Sequence, residues 1–241
     1  NVRGTPNAFL RSALFPAIQG KDRKALKTGT LIATQRDIEI RFTGWQFDQA
    51  DLDVWEQAAH LARHHPLGQC CEFTAYGFLK ALGRNTGKSE HEWLHNSFRR
   101  LKAGAVEITH NGKTYIGTLL DDVVKDEESG RYRLVLNKKL LNLFEAGYTH
   151  IPWQTRHKLR RKPLALWLSS YYSSHEQPYP VKVATLRQLS GSGSTVNKFR
   201  ENLRKALDEL VNVQALGAWR IDEDDKVHVQ RPGKQLALPG T

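Results

Sequence analysis

The stretch that most restricts the fold runs from Ser190 to Leu210, a Ser/Gly turn followed by an amphipathic helix. Ser192 and Ser194 are N-cap candidates for that helix. Val196, Phe199, Leu203, Leu207 and Leu210 recur at three- and four-residue steps, which makes one apolar stripe. Ser194 and Thr195 stand at its start. Asn197, Lys198, Glu201 and Lys205 lie opposite the stripe, with Arg200 and Arg204 on the flanks. Short polar side chains backed by basic ones suit entry into a DNA major groove: Asn can bond adenine bidentately, Lys can reach guanine, and Glu can accept from cytosine.

The neighbourhood of this helix has a definite order. Thr155–Ser174 reads as a helix whose basic start (Arg156, Lys158, Arg160, Arg161, Lys162) precedes Pro163, which either opens the helix or kinks a longer one. A short extended piece (Tyr179–Val183), a compact helix (Ala184–Leu189) and the reading helix follow. Ala218–Ile221 and Lys226–Gln230 then alternate around four acidic residues as a hairpin. Helix, strand, helix, turn, helix and hairpin make a winged helix-turn-helix domain.

The same order occurs upstream. Asp48 or Asp51 caps a helix to about His64, Gln69–Phe73 is a strand, and Thr74 caps Ala75–Leu82. Ser89–Lys102 is the second reading helix, presenting Lys88, His91, His95 and Arg99. Ala105–Thr109 and Thr114–Leu120 flank His110-Asn111-Gly112-Lys113, and Asn-Gly is a strong hairpin signal, so Lys113 is expected at a wing tip. Ala8–Ile18 is a short helix or an arm, and Thr30–Ala33 and Asp37–Thr43 are strands. Lys125–Gly130 is a charged loop, Arg131–Asn137 a third strand on the first wing, and Lys138–Gly147 a short helix. The expected fold is α+β: two tandem winged helix-turn-helix domains, 1–147 and 148–241, an internal repeat of architecture.

Charge points to the partner. The net charge is +11, and Ile151–Lys205 holds eleven Lys/Arg against Glu176 and Glu201. Such concentration implies a polyanion, with double-stranded DNA the first candidate. Asn197 and Lys198 are expected to read bases, and Arg156, Lys158, Arg160, Arg161 and Lys162 to grip phosphates. No apolar run approaches a membrane span, and adjacent Cys70 and Cys71 make no disulfide framework, so a cytoplasmic location is expected. The absence of methionine implies that residue 1 is not a natural start.

Arg11-Ser12-Ala13-Leu14-Phe15, Thr43-Gly44 leading to Asp51-Leu52-Asp53-Val54-Trp55, and Tyr172-Ser173-Ser174-His175-Glu176-Gln177-Pro178-Tyr179-Pro180 resemble TrfA-type plasmid replication initiators. The last run continues through Leu186 to the Gly191–Thr195 turn in that family's order, and the likeness covers Arg11 to Arg231. It implies two winged helices that bind directly repeated origin DNA (iterons), with Ser194–Lys205 as main reading helix. It also implies an N-terminal domain that adds contacts and a dimer interface, hence a monomer/homodimer equilibrium. Origin opening and recruitment of the host initiator, replicative helicase and sliding clamp would follow.

Other chemistry fits less well. His60, His64, His65, Cys70 and Cys71 lack zinc-ligand spacing, because adjacent cysteines chelate one ion poorly. Tyr171 and Tyr172 lack the His-x-His pair of a nicking enzyme and read as one inward and one helix-edge residue. Gly191-Ser192-Gly193 lacks the Lys-Ser/Thr of a phosphate loop. No enzyme, metal or cofactor is expected. The alternative to an initiator is a dimeric winged-helix transcriptional repressor, which usually sets one domain on each half-site. Gln235-Leu236-Ala237-Leu238-Pro239 resembles a clamp-docking peptide, with Pro239 where an aromatic is commonest.

Overall fold

The computed structural model describes residues 2–35, 38–65, 70–110 and 112–233. The chain begins with β1 (Val2–Pro6) and α1 (Asn7–Leu10), followed by an arm. β2 (Ala25–Ile32) and β3 (Ile38–Trp45) lead to α2 (Gln49–Ala62), β4 (Cys71–Thr74), α3 (Ala75–Ala81) and α4 (Lys88–Ala103). Then come β5 (Ala105–His110), β6 (Lys113–Thr118), β7 (Leu120–Lys125), β8 (Arg131–Leu136) and α5 (Leu141–Glu145). The second half comprises β9 (Tyr148–Pro152), α6 (Trp153–Lys158), α7 (Pro163–Ser173), β10 (Val181–Lys182), α8 (Val183–Leu189), α9 (Val196–Asn212), β11 (Ala218–Ile221) and β12 (Lys226–Gln230).

Two series coincide: α2-β4-α3-α4-β7-β8 and α7-β10-α8-α9-β11-β12. Each ends in a three-stranded antiparallel sheet with its last strand in the middle, β4-β8-β7 and β10-β12-β11. These are tandem winged helices. Local chemistry sets the helix starts. Asp48 accepts from Ala50 N and Asp51 N while Asp51 accepts from Asp48 N, a reciprocal cap. Thr74 caps α3 and Thr195 caps α9, and Pro163 opens α7, where its missing N–H costs nothing.

The first wing differs from expectation. Arg131–Leu136 pairs with β7 and β4, so the wing is β7–β8, with Lys125–Gly130 at its tip. The Asn-Gly hairpin β5–β6 instead extends β2–β3 into a separate sheet, β2-β3-β5-β6. Its inward Val106 and Ile108 stand opposite Phe42 and Ile40 of β3, which buries both apolar pairs. Asp121-Asp122 hides β7 in the sequence, because a register shift between Leu120 and Asp122 breaks its alternation. Asn111 itself lies outside the described residues, as do Gln69 and the whole Gln235–Pro239 segment.

Two apolar cores form, one from Ala8 to Trp153 and one from Leu159 to Val227. The expected cut at 147/148 falls at the start of β9, which pairs antiparallel with β1 and so returns the junction to the N-terminus. The arm then crosses to the second core. Trp167 Nε1 donates to Ser12 O (3.2 Å) and Ala17 N to Ser190 O (2.7 Å). Pro16 packs on Gly191, where a side chain would meet its Cβ at 2.5 Å, and Gly191 also has φ +68°. Tyr171 and Tyr172 are both buried, unlike the expected inward and edge pair. Gln35 Nε2 donates to the hydroxyls of Tyr171 (2.7 Å) and Tyr179 (2.9 Å), and Arg11 Nε to Ser174 Oγ (3.0 Å).

Arg156 is the deepest link and a second correction. It is 2% exposed, so it cannot grip phosphate. Its Nε lies 2.5 Å from Asp53 Oδ1 and 3.4 Å from Glu56 Oε2, both on α2. Nη1 donates to Ser170 Oγ (2.8 Å) on α7 and Nη2 to Gln49 O (3.1 Å). Trp153, Arg156 and Leu159 form the inner face of this turn, all buried. Burial opposes the Arg156 charge, but Asp53 and Glu56 outweigh it and raise its pKa. Burial pushes Glu56 up to about 7 despite Arg156 and a hydrogen bond from Thr5 (2.7 Å).

Replacing Arg156 with Ala strands the Glu56 and Asp53 carboxylates, and stability should fall by about 3–5 kcal/mol in urea unfolding at pH 7. Glu56 binds its proton more tightly folded than unfolded. Stability should therefore decline as pH rises between 4.5 and about 7. Glu56→Gln should flatten that decline in thermal melts taken across the window.

Candidate nucleic-acid interface

In the second domain, α9 buries Phe199, Leu203, Ala206, Leu207 and Leu210 against α7 and α8. The opposite face is outward. Asn197, Lys198, Glu201, Arg204 and Lys205 are exposed, as is the cap Thr195, while Ser194 and Arg200 are half-buried. Ser194 belongs to the turn: Arg187 Nη1 donates to its carbonyl (2.8 Å), and its hydroxyl lies 2.9 Å from that of Ser192. Thr195 Oγ1 accepts from Lys198 N. Lys198 and Glu201 pair at 2.9 Å, and the hydrogen bond from Lys198 holds Glu201 below the usual carboxylate range. Both sides of that pair face solvent, so a phosphate or base can compete for either at small cost.

Arg200 is occupied. Its Nε and Nη2 grip both carboxylate oxygens of Asp225 in the second wing at 2.9 Å, and Nη1 donates to Asn197 Oδ1 at 3.0 Å. It is a strut between helix and wing.

The basic run after α6 divides. Lys158, Arg160 and Arg161 are exposed, whereas Lys162 pairs with Glu209 at 2.6 Å and Arg156 is interior. A side chain at Gly83 would come within 3.7 Å of Arg160 Nη1, so Arg160 sits beside the turn between α3 and α4. In the chain these linker cations lie between α4 and α9.

On the first domain, Lys88, His91 and His95 line one open groove of about 700 Å³ with Tyr76, Lys125 and Tyr132. His95 Nδ1 lies 3.2 Å from the Tyr132 hydroxyl, and Lys125 pairs with Glu127 at the tip of the wing. Sequence reasoning missed Tyr76 and Lys125. Tyr76 is 52% exposed on α3, and an unburied aromatic in the first turn of a helix was the available signal. Arg99 lines a different groove with Lys21, Arg23, Trp45, Arg100 and Lys102. There Asp51 takes up Arg100 (2.7 Å) and Arg23 (3.3 Å). Lys113 belongs to neither groove; it stands on the β5–β6 sheet near Lys139 and Asn142. The structure thus brings together Lys88, His91 and His95 but leaves Arg99 and Lys113 apart.

This geometry is similar to known proteins. Domains 2 and 3 of RctB superpose with a TM-score of 0.63 at 15% identity, covering 93% of this chain and 97% of that one. The Pi initiator protein, solved in complex with iteron DNA, gives 0.57 at 12% identity over 77% of this chain and 95% of that one. At such identity both show a shared fold. The plasmid replication initiator protein TrfA of Escherichia coli is 31% identical across 95% of this chain, which spans 62% of that relative's length. The family described as TrfA protein matches residues 1–231, and the chain belongs to that family.

Proposed function

We propose that this chain is a plasmid replication initiator that binds directly repeated origin DNA in sequence-specific fashion. The observation that carries the reading is the pair of winged helices joined in one chain by buried bonds. The two units, tied together through Arg156, β1–β9 and the arm, are unequal: the first carries the additional sheet β2-β3-β5-β6, so the pair presents two different surfaces. A pair of unequal readers in one chain suits an asymmetric site, and one chain per site lets such sites be arrayed as direct repeats without a two-fold axis. The solved Pi relative, which holds iteron DNA, and the initiator from Escherichia coli support the same conclusion.

In this reading α9 enters a major groove through Asn197, Lys198, Glu201, Arg204 and Lys205. Thr195 and Ser194 frame its start and Arg200 supports it. Lys158, Arg160 and Arg161 take phosphates beside it, and the Lys88–His91–His95 groove of α4 takes the neighbouring stretch. Arg99 and Lys113, which stand in other grooves, lie outside this proposed contact. Opening of the origin and recruitment of the host initiator, helicase and clamp belong to the same proposal, as does exchange between monomer and homodimer. The location would be the bacterial cytoplasm; among the described residues no helix is long and apolar enough to cross a membrane.

A footprint on origin DNA should show several direct repeats protected; a single inverted repeat would indicate a repressor instead. Asn197→Ala should cost about 1–3 kcal/mol on the matched site and little on scrambled duplex. Equal losses on both would show that α9 is not the reader. Arg160→Gln should weaken matched and scrambled duplex alike and reduce the slope of log K against log salt by about one.

The first-domain groove has its own test. A Lys88→Ala, His91→Ala double variant should shorten the footprint at one end of each repeat while the α9 end stays protected. An unchanged footprint would leave the first domain with no DNA contact through α4.

A further inference from the structure

The second wing is the wrong charge to lie along phosphates. Its turn reads Asp222-Glu223-Asp224-Asp225, and three of these acids are already engaged. Asp222 holds His228 (2.7 Å), Asp224 holds Lys226 (3.0 Å), and Asp225 grips Arg200 through both oxygens. Asp225 is also fixed through its backbone. It has φ +60°, and its carbonyl accepts from Val183 N at 2.9 Å, which ties the wing turn to the start of α8. A planar guanidinium held in two places has no freedom left, and its third nitrogen donates to Asn197 Oδ1. Because Arg has donors only, the Asn197 atom facing it must be the oxygen.

We propose that Asp225, acting through Arg200, decides which base Asn197 reads. This rests on the assignment of α9 as reading helix. With its oxygen turned to Arg200 and one lone pair taken, Asn197 presents its NH2 group to the groove as the freer partner. That suits an acceptor edge, guanine O6/N7 or thymine O4. Bidentate pairing with adenine would need the amide to turn its oxygen to the base and share it with Arg200, so adenine is disfavoured while the Asp225 grip holds Arg200 in place. The wing of this domain therefore works on the reading helix rather than on DNA, and the expectation of an Asn197–adenine pair is replaced.

The test is selection from a duplex library with a randomised core, using the full chain. The position read by Asn197 is the one that loses its preference in Asn197→Ala. Wild type should prefer guanine or thymine there. Asp225→Asn, which suits a left-handed backbone and breaks the two-pronged grip, should move the preference toward adenine by roughly tenfold in relative affinity. Its affinity for scrambled duplex should hold or rise, since an acid near DNA is removed. Arg200→Lys, which keeps the charge without the fork, should shift the base in the same direction, and neither change should matter in an Asn197→Ala background. A purely structural role would lower affinity for every sequence and leave the preferred base as it was, and that result overturns the proposal. So does an adenine preference in wild type. If wild type enriches no sequence, the reading of α9 fails and takes this inference with it; an unaltered base in Asp225→Asn sinks the inference alone.

Discussion

The tandem arrangement depends on a buried cation. Arg156 leaves the short α6 and enters a pocket made by α2 of one domain and α7 of the other, where Asp53, Glu56, Gln49 and Ser170 surround it. Burying a guanidinium and two carboxylates is costly, and the cluster is tolerable because nearly every donor and acceptor in it is bonded. Glu56 Oε2 is the exception, with no hydrogen bond and only the ionic contact to Arg156. An apolar contact would hold the domains together without fixing their rotation. A planar fork bonded in several directions fixes both, and so holds α2 of one unit and α7 of the other at a set separation.

The arm reinforces the same joint from the other side. Ser12, Pro16 and Ala17 cross onto α7 and the Ser/Gly turn, and Gln35 and Arg11 bond the Tyr171–Tyr179 segment. The run that most resembles the family, from Tyr172 to Pro180, thus faces the first domain. His175 is buried within it, with Nε2 3.2 Å from Gln35 Oε1 and Nδ1 2.8 Å from Tyr171 O, and burial lowers its pKa. A segment that carries a family resemblance need not touch a ligand; this one holds the two winged-helix units together.

Local chemistry made much of the fold legible. The caps Asp48 and Thr74, the stripe on α9 and the second hairpin are all written within a few residues of where they act. The α9 cap, by contrast, is Thr195 and not the expected Ser192 or Ser194, since Ser194 is held in the turn by Arg187 and Ser192. The misreadings come from partners far apart in sequence. Arg156 looks like its exposed neighbours until Asp53 and Glu56, about a hundred residues earlier, are brought to it. Asn111-Gly112 signals a hairpin but not which sheet receives it, and the buried match of Val106 and Ile108 to Phe42 and Ile40 decides that. β1 and β9 were missed for the same reason, since each needs the other as its partner. On the interface, the helix faces were readable from periodicity. The engagement of Arg200 was not, because Asp225 reaches it from another element.

Charge shows what the repeat conserves beyond topology. Both wing tips are acidic, Asp126-Glu127-Glu128 in the first domain and Asp222–Asp225 in the second, in a chain whose net charge is +11. The surplus lies mainly in residues 1–47, with eight Lys/Arg against three Asp/Glu, and at the α6–α7 junction, where Arg156–Lys162 holds five Lys/Arg and no acid. Helix α4 adds a net +2 and α9 only +1, and an acidic wing tip repels a phosphate row. A uniformly basic surface would bind duplex in many registers. In the proposed reading, acidic wing tips beside a basic linker would penalise displaced registers, at the cost of some total affinity. The acids also take up cations of their own: Lys125 is held by Glu127, Lys226 by Asp224, and Arg200 by Asp225.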